Sequence, residues 1–268
     1  MPGWLNSQTL VFSISKRGEW TRRERVIVLF GSDFAMEATE LTNIVKAVNR
    51  WLSYQVLCGR EALFSEAYLG QPLAEYLIHR HSGKFEAEVD HPVLNEPKPG
   101  RPRQIDYVLR TRDAKVIEVA IECKWISTTP YDKQRIINDI LRLECVRVPG
   151  RHVKRLLLVA GRKQEFDKNF RKLQVNIGNS RANFTKSLLP FSLEKPLTVQ
   201  PALSESPFRE YYERFSVSFN AGVPKSFKTL LVGRRSADDI SVGIWQIDSV
   251  PNRSTFSPND VWHAPSSP

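Results

Sequence analysis

The spacing of apolar residues along the chain switches between two periods. Leu41, Ile44, Val45, Val48, Trp51 and Leu52 recur every three or four positions. That is one apolar stripe on a long helix, with Asn43, Lys46, Asn49 and Arg50 facing away. Ser32 and Asp33 stand just ahead as N-cap residues. Residues 61–80, EALFSEAYLGQPLAEYLIHR, keep the helical period, and Pro72 offers a point where the helix breaks or restarts. The period then turns to two. Residues 84–93, KFEAEVDHPV, read as a strand, and 95–102 as a basic Pro/Gly loop. Residues 101–125, RPRQIDYVLRTRDAKVIEVAIECKW, read as two strands joined by a turn around Arg112 and Asp113. Helical spacing returns at 131–146 through Ile136, Ile137, Ile140, Leu141 and Leu143. Residues 154–161, KRLLLVAG, form the continuous apolar run of a strand buried on both faces. A further helix is expected at 164–173.

The flanks are less periodic. Residues 9–15 and 25–30 are β-like runs around the turn-like KRGE, which predicts a peripheral hairpin. Residues 176–207 loosen into Ser, Asn and Pro and read as a loop or linker. Residues 215–220, 227–234 and 240–248 read as three antiparallel strands, and 250–268 as a fraying tail. The expected organisation is a hairpin and long helix over 1–60, packed on a core at 61–175. A linker and β extension follow at 176–250, then a flexible tail at 251–268. The fold class is α/β, a mixed central sheet flanked by helices.

Composition narrows the function. The 268 residues are 41% hydrophobic and 25% charged, an ordinary globular balance. No run of about 20 apolar residues is present to span a bilayer, and the start lacks the basic region of a signal peptide. Cys58, Cys123 and Cys145 form no CxxC or Cys/His zinc spacing, which predicts free thiols and a reducing cytoplasm. The net charge is +10 and it is unevenly placed. From Arg101 to Lys172 there are 18 Lys/Arg against 9 Asp/Glu, whereas from Glu61 to Glu96 there are 2 against 7. Basic charge around the hairpin suits a polyanionic partner, and nucleic acid is expected rather than a membrane. The five histidines show no HxH or HExxH spacing, and His79 and His81 read as surface residues at a helix end. No GxSxG, P-loop or GxGxxG motif occurs.

Chemistry concentrates on the hairpin at 101–125. On its second strand Glu118, Ala120, Glu122 and Lys124 share one face, opposite Ile117, Val119, Ile121 and Cys123. On its first strand Asp106 shares a face with Gln104 and Val108. A strict two-residue turn sets Asp106 opposite Val119; a longer turn, a bulge or a splayed end brings it level with Glu122. Two carboxylates and a lysine brought together suit phosphodiester hydrolysis. Mg²⁺, a hard cation, takes oxygen ligands, neutralises charge on the phosphate and acidifies a bound water. Asp106 and Glu122 would be the ligands, with the Cys123 carbonyl as a third. Lys124 would hold or help deprotonate the water and steady the phosphate charge. On the helix of residues 61–80, Glu66 lies toward the apolar face of Leu63, Gly70, Leu73, Ala74 and Leu77. Glu75 lies nearly opposite.

An upstream helical Glu, then Asp106, then Glu122-Cys123-Lys124 closing an apolar strand resembles the PD-(D/E)xK nuclease superfamily. Ile105-Asp106 stands where that family commonly has Pro-Asp. The resemblance covers residues 61–161. It implies a restriction-endonuclease-like core in the order helix, three strands, helix, strand, with N-terminal helical and C-terminal β additions. It also implies a Mg²⁺-dependent nuclease, with Mn²⁺ as a substitute, acting on DNA in preference to RNA; a dimer is compatible with it. Glu66 would hold the metal through water. Gln134 resembles the family's auxiliary polar position, and Asp139 and Arg142 are further polar candidates on the same helix. Two other classes fit the sequence: a nucleic-acid-binding module of the same fold without turnover, and a structural or interaction protein.

Overall fold

The computed structural model describes residues 13–14, 20–21, 36–81, 84–94, 103–111, 116–126, 133–167, 188–190, 193, 195–199, 209–219, 221–251 and 254–256. The chain divides into two compact units, Met1–Ala35 and Met36–Pro268. In the first, strands β1 (Ser13–Ile14) and β2 (Trp20–Thr21) pair antiparallel. The expected hairpin thus closes earlier, with Trp20–Thr21 as its return strand; the run at 25–30 lies outside the described residues.

The second unit is built on a seven-stranded mixed sheet in the order β3-β4-β5-β6-β10-β9-β7. Its strands are β3 (Phe85–Asp90), β4 (Gln104–Arg110), β5 (Ile117–Ile126), β6 (Lys154–Arg162), β7 (Leu197–Val199), β9 (Phe227–Ala237) and β10 (Ile240–Ser249). β3, β4 and β5 are antiparallel neighbours, while β5 and β6 run parallel. A parallel pair needs a crossover. Helix α3 (Lys133–Cys145) supplies it and covers β5, β6 and β10. Ile136, Ile137, Ile140 and Leu141 of α3 form one core with Ala120, Ile126, Leu157, Val159 and Trp245 from the sheet.

Helix α1 (Ala38–Leu57) packs on β9 and β10, and against α2 (Glu66–Arg80), which reaches β5. Leu41, Ile44, Val45, Val48 and Leu52 are all at most 1% exposed, so the apolar stripe is the buried face. At about 1.5–3 kcal/mol per side chain, that stripe alone contributes on the order of 10 kcal/mol of transfer free energy. The helix starts later than the N-cap pair at 32 and 33 indicates, with Glu37 in the cap position and no side-chain cap. Ser32 and Asp33 lie outside the described residues. Glu61–Leu63 form only a 3₁₀ turn, and Ser65 caps α2 by accepting from the Tyr68 N–H at 3.2 Å. Pro72 neither breaks nor restarts α2; buried Leu69, Leu73 and Leu77 hold the helix across it.

The C-terminal half departs further from the sequence reading. Of the strand expected at 215–220, residues 215–219 belong instead to helix α5 (Arg209–Phe219), which packs against α3, and residue 220 lies outside the described residues. Phe215, Val217 and Phe219 alternate like a strand, yet Val217 is 75% exposed. The spacing that packs is Tyr212, Phe215, Ser216, a helical one. The linker at 176–207 contains β7, which pairs with β9 as the sheet's edge. β9 and β10 join the same sheet beside β6. The tail at 250–268 holds β11 (Thr255–Phe256), paired with β8 (Val223–Pro224). Of the helix expected at 164–173, the described part is α4 (Lys163–Glu165); residues 168–173 lie outside it. Among the described residues no helix is long and apolar enough to cross a membrane. All three cysteines are free, Cys123 and Cys145 buried and Cys58 exposed.

Candidate metal centre at the splayed end of the hairpin

Register decides whether the two carboxylates meet. Tyr107 pairs with Ile121, Val108 with Ala120 and Leu109 with Val119, then the ladder shifts by one so that Arg110 faces Ile117. The Thr111 N–H donates to the Val116 carbonyl at 2.9 Å and closes the hairpin around residues 112–115. The longer loop and the bulge at Glu118 move Asp106 from Val119 to the level of Glu122. Splaying accompanies them. The β4–β5 ladder stops at Tyr107, and the Asp106 Oδ2 accepts the Cys123 N–H at 2.7 Å. The β3–β4 ladder also skips the pair at Asp106, where Glu88 faces it with a left-handed φ of 52°. A glutamate strains in that region. Asp106 therefore sits at a kink defined from both neighbouring strands, with its backbone out of the ladder and its carboxylate across the strand end.

Around it lies a charged cluster on the α3 side of the sheet. The Asp106 and Glu122 carboxyl groups stand close enough for each to feel the other's charge. Lys124 Nζ stands 2.9 Å from Asp139 Oδ2 and 3.0 Å from Glu66 Oε1. Glu66 reaches it from the first turn of α2, and Asp139 from α3. Glu75 instead is exposed and accepts from the Gln71 amide at 3.2 Å, so Glu66 is the helical acid that joins the cluster. Arg142 Nη2 lies 2.9 Å from Glu122 Oε1 and also donates to the Gln104 carbonyl, while its Nη1 lies 3.4 Å from Asp139 Oδ1. Gln134 points elsewhere: its amide donates to Asn138 at 2.6 Å and to the Tyr211 carbonyl of α5 at 3.0 Å. Asp139 and Arg142 are thus the α3 residues that the structure brings to the pair.

Burial sets the protonation states. Glu122 is 2% exposed, and burial together with the Asp106 charge holds its carboxyl well above the usual carboxylate range, against the pull of Arg142. Burial also raises Asp106, opposed by the Cys123 N–H and by Lys124 and Arg142. Asp139 is pushed up to about 6 by burial, despite Lys124 and Arg142. Burial lowers Lys124, but Asp139 and Glu66 outweigh it and hold the ammonium above its ordinary value.

The donor chemistry fits a hard divalent cation. Asp106, Glu122 and the Cys123 carbonyl offer oxygen. Four carboxylates against Lys124 and Arg142 leave a formal charge of −2 when all are ionised, which one such cation neutralises. Glu122 Oε1 and Asp139 Oδ2 are buried at ion-pair distance from their cations without a well-aligned hydrogen bond. Among the described residues no three His, Cys, Asp or Glu side chains form a metal-holding group.

His91 supports the cluster from behind. It is fully buried; its Nε2 donates to the Arg142 carbonyl at 2.9 Å, and its Nδ1 accepts from the Val93 and Leu94 N–H groups at 3.2 and 3.0 Å. His81, expected at the surface, is buried and pairs with Glu40 at 2.7 Å. No signal in the sequence marks either histidine, because their partners come from distant segments. No protein-family model, curated protein or solved structure matches the chain.

Proposed function

We propose that the protein is a metal-dependent nuclease with a restriction-endonuclease-like core, hydrolysing phosphodiester bonds in DNA at Asp106, Glu122 and Lys124. The order α2-β3-β4-β5-α3-β6 supports this reading, with β5 and β6 parallel. The observation that carries it is the kink that sets the Asp106 carboxylate against Glu122. Asp106, Glu122 and the Cys123 carbonyl would hold Mg²⁺ or Mn²⁺, with Glu66 acting through water. A cation there supplies charge neutralisation at the phosphate and a more acidic water.

The side chains have separate roles. Lys124, held protonated by Asp139 and Glu66, offers its Nζ–H donors to the attacking water and the phosphate oxygens. Its charge state suits electrostatic stabilisation rather than proton abstraction. Asp139 fixes the direction of Nζ from α3. The water adds to phosphorus and gives up a proton to bulk solvent, the P–O bond to the leaving oxygen breaks, and that oxygen takes up a proton from solvent. Cleavage of DNA with Mg²⁺, its loss with EDTA, and its loss in Asp106→Ala and Lys124→Ala are expected; activity surviving both substitutions would refute the assignment.

One observation favours a second reading. The Arg142 guanidinium already neutralises Glu122, which suits a nucleic-acid-binding module of the same fold without turnover. Calorimetric titration with Mg²⁺ or Mn²⁺ separates the two: binding that depends on Asp106 and Glu122 supports the nuclease.

A further inference from the structure

We propose that Arg142 is a positioning residue that couples cation binding at Asp106 and Glu122 to phosphate binding. Its guanidinium holds Glu122 in the free protein and transfers to a phosphate as Glu122 is released to the cation. This rests on the metal-centre reading above.

Three features carry it. First, Arg142 bridges Glu122 at 2.9 Å, Asp139 at 3.4 Å and the Gln104 carbonyl, so it spans both helix and sheet sides of the cluster. Second, its fit is incomplete. Its buried Nε lacks a hydrogen-bond partner, and Glu122 Oε1 is not well aligned with it. Most buried side-chain donors in folded proteins are satisfied. Third, the backbone at Arg142 is fixed by His91 while its side chain is 17% exposed. The backbone anchor is fixed, and the side chain reaches solvent at the edge of the cluster.

The chemistry gives the coupling its sign. A guanidinium does not lose its proton, so it cannot vacate Glu122 by titrating. While it remains, a divalent cation at the same carboxylate meets a fixed positive charge. A phosphate oxygen pair is the better bidentate partner for Arg142. Each ligand therefore removes an obstacle to the other, and linkage makes the effect reciprocal. Lys124 does not share this role, since its partners are Asp139 and Glu66.

The test is calorimetric titration of the full chain with Mn²⁺, with and without sulfate as the anion probe, in wild type and Arg142→Met. Without sulfate, Arg142→Met is expected to bind Mn²⁺ about tenfold tighter than wild type, an ordinary size for coupled sites. Sulfate is expected to tighten wild type and leave the variant unchanged. Equal or weaker binding by the variant, or a sulfate-independent wild type, overturns the inference while leaving the metal centre standing. Absence of Mn²⁺ binding in every case overturns both. Should Arg142→Met fail to fold, guanidinium nitrogen NMR of wild type decides. Mg²⁺ with sulfate must shift the Arg142 Nη signals and relax their hindered rotation; an unchanged spectrum overturns the coupling.

Discussion

Acidification should unlock the His91 clamp, with a size that follows from its surroundings. Neutral His91 uses both ring nitrogens: Nε2 donates to the Arg142 carbonyl, and Nδ1 accepts from two backbone N–H groups. Protonation would turn Nδ1 into a donor facing two donors. Burial pulls the imidazole down to about 4 from 6.5, against the favourable Arg142 carbonyl. A lowered value means that the contribution to stability is fully present above pH 6.5 and lost as pH falls through about 4. A shift of this size corresponds to about 3 kcal/mol. Asp139 acts in the opposite sense: raised to about 6, its contribution is present at low pH and lost as pH rises through that value. Glu122 and Asp106 share that sign. The overall stability curve therefore mixes opposing terms, and the assay must isolate the histidine. Urea unfolding of wild type and His91→Gln does so by difference. The advantage of wild type should shrink by about 3 kcal/mol between pH 7 and pH 4. An NMR titration of the folded protein should place the His91 midpoint near 4. A midpoint near 6.5, or a pH-independent gap between the two proteins, would refute the reasoning.

Three further outcomes are expected. Lys124→Met leaves Asp139 buried beside the pair without its nearest cation, so urea unfolding should show a loss of about 3–5 kcal/mol in addition to lost cleavage. Glu66→Gln should weaken DNA cleavage while Glu75→Gln leaves it unchanged, because only Glu66 touches Lys124; equal effects in a cleavage assay would contradict this. A Cβ at Gly70 would collide with the Tyr107 hydroxyl. Gly70→Ala should therefore lower stability by about 1–3 kcal/mol, and Tyr107→Phe in the same chain should recover part of it in thermal unfolding.

How much of the fold can be read from the sequence depends on what each segment packs against. The stripe from Leu41 to Leu52 and the run LLLVA in β6 are legible because one dominant burial surface imposes one period on each. α5 is illegible because Phe215, Val217 and Phe219 satisfy period two over five residues. Only contact with α3 and β8 shows that Val217 points to water. β7 is three residues long, too short for either period to register. His81 looks like a surface residue, and nothing marks His91, because the partners that bury them, Glu40 and the Arg142 carbonyl, lie 41 and 51 positions away.

The candidate site shows the same limit at finer scale. Residue types and alternation bring Asp106, Glu122 and Lys124 to one face, but a ladder in strict register keeps Asp106 three residues from Glu122. The longer loop and the bulge at Glu118 close that gap, and the left-handed Glu88 faces Asp106 from the other side. Neither residue is a glycine, so nothing in the sequence marks the positions. Gln134 and Arg142 are two helical turns apart on α3, and the pattern of apolar residues leaves both beside the buried stripe. Which of them faces the pair is set by how α3 rotates over β5 and β6, and α5 decides it. The Tyr211 carbonyl draws the Gln134 amide away, and the Gln104 carbonyl at the mouth of β4 draws Arg142 in. The cation beside the acidic pair is therefore a consequence of packing between distant segments, 38 residues apart for Arg142 with Gln104 and 77 for Gln134 with Tyr211. The unmet Nε of Arg142 is the mark that this packing leaves a charge held in place without fully satisfying it.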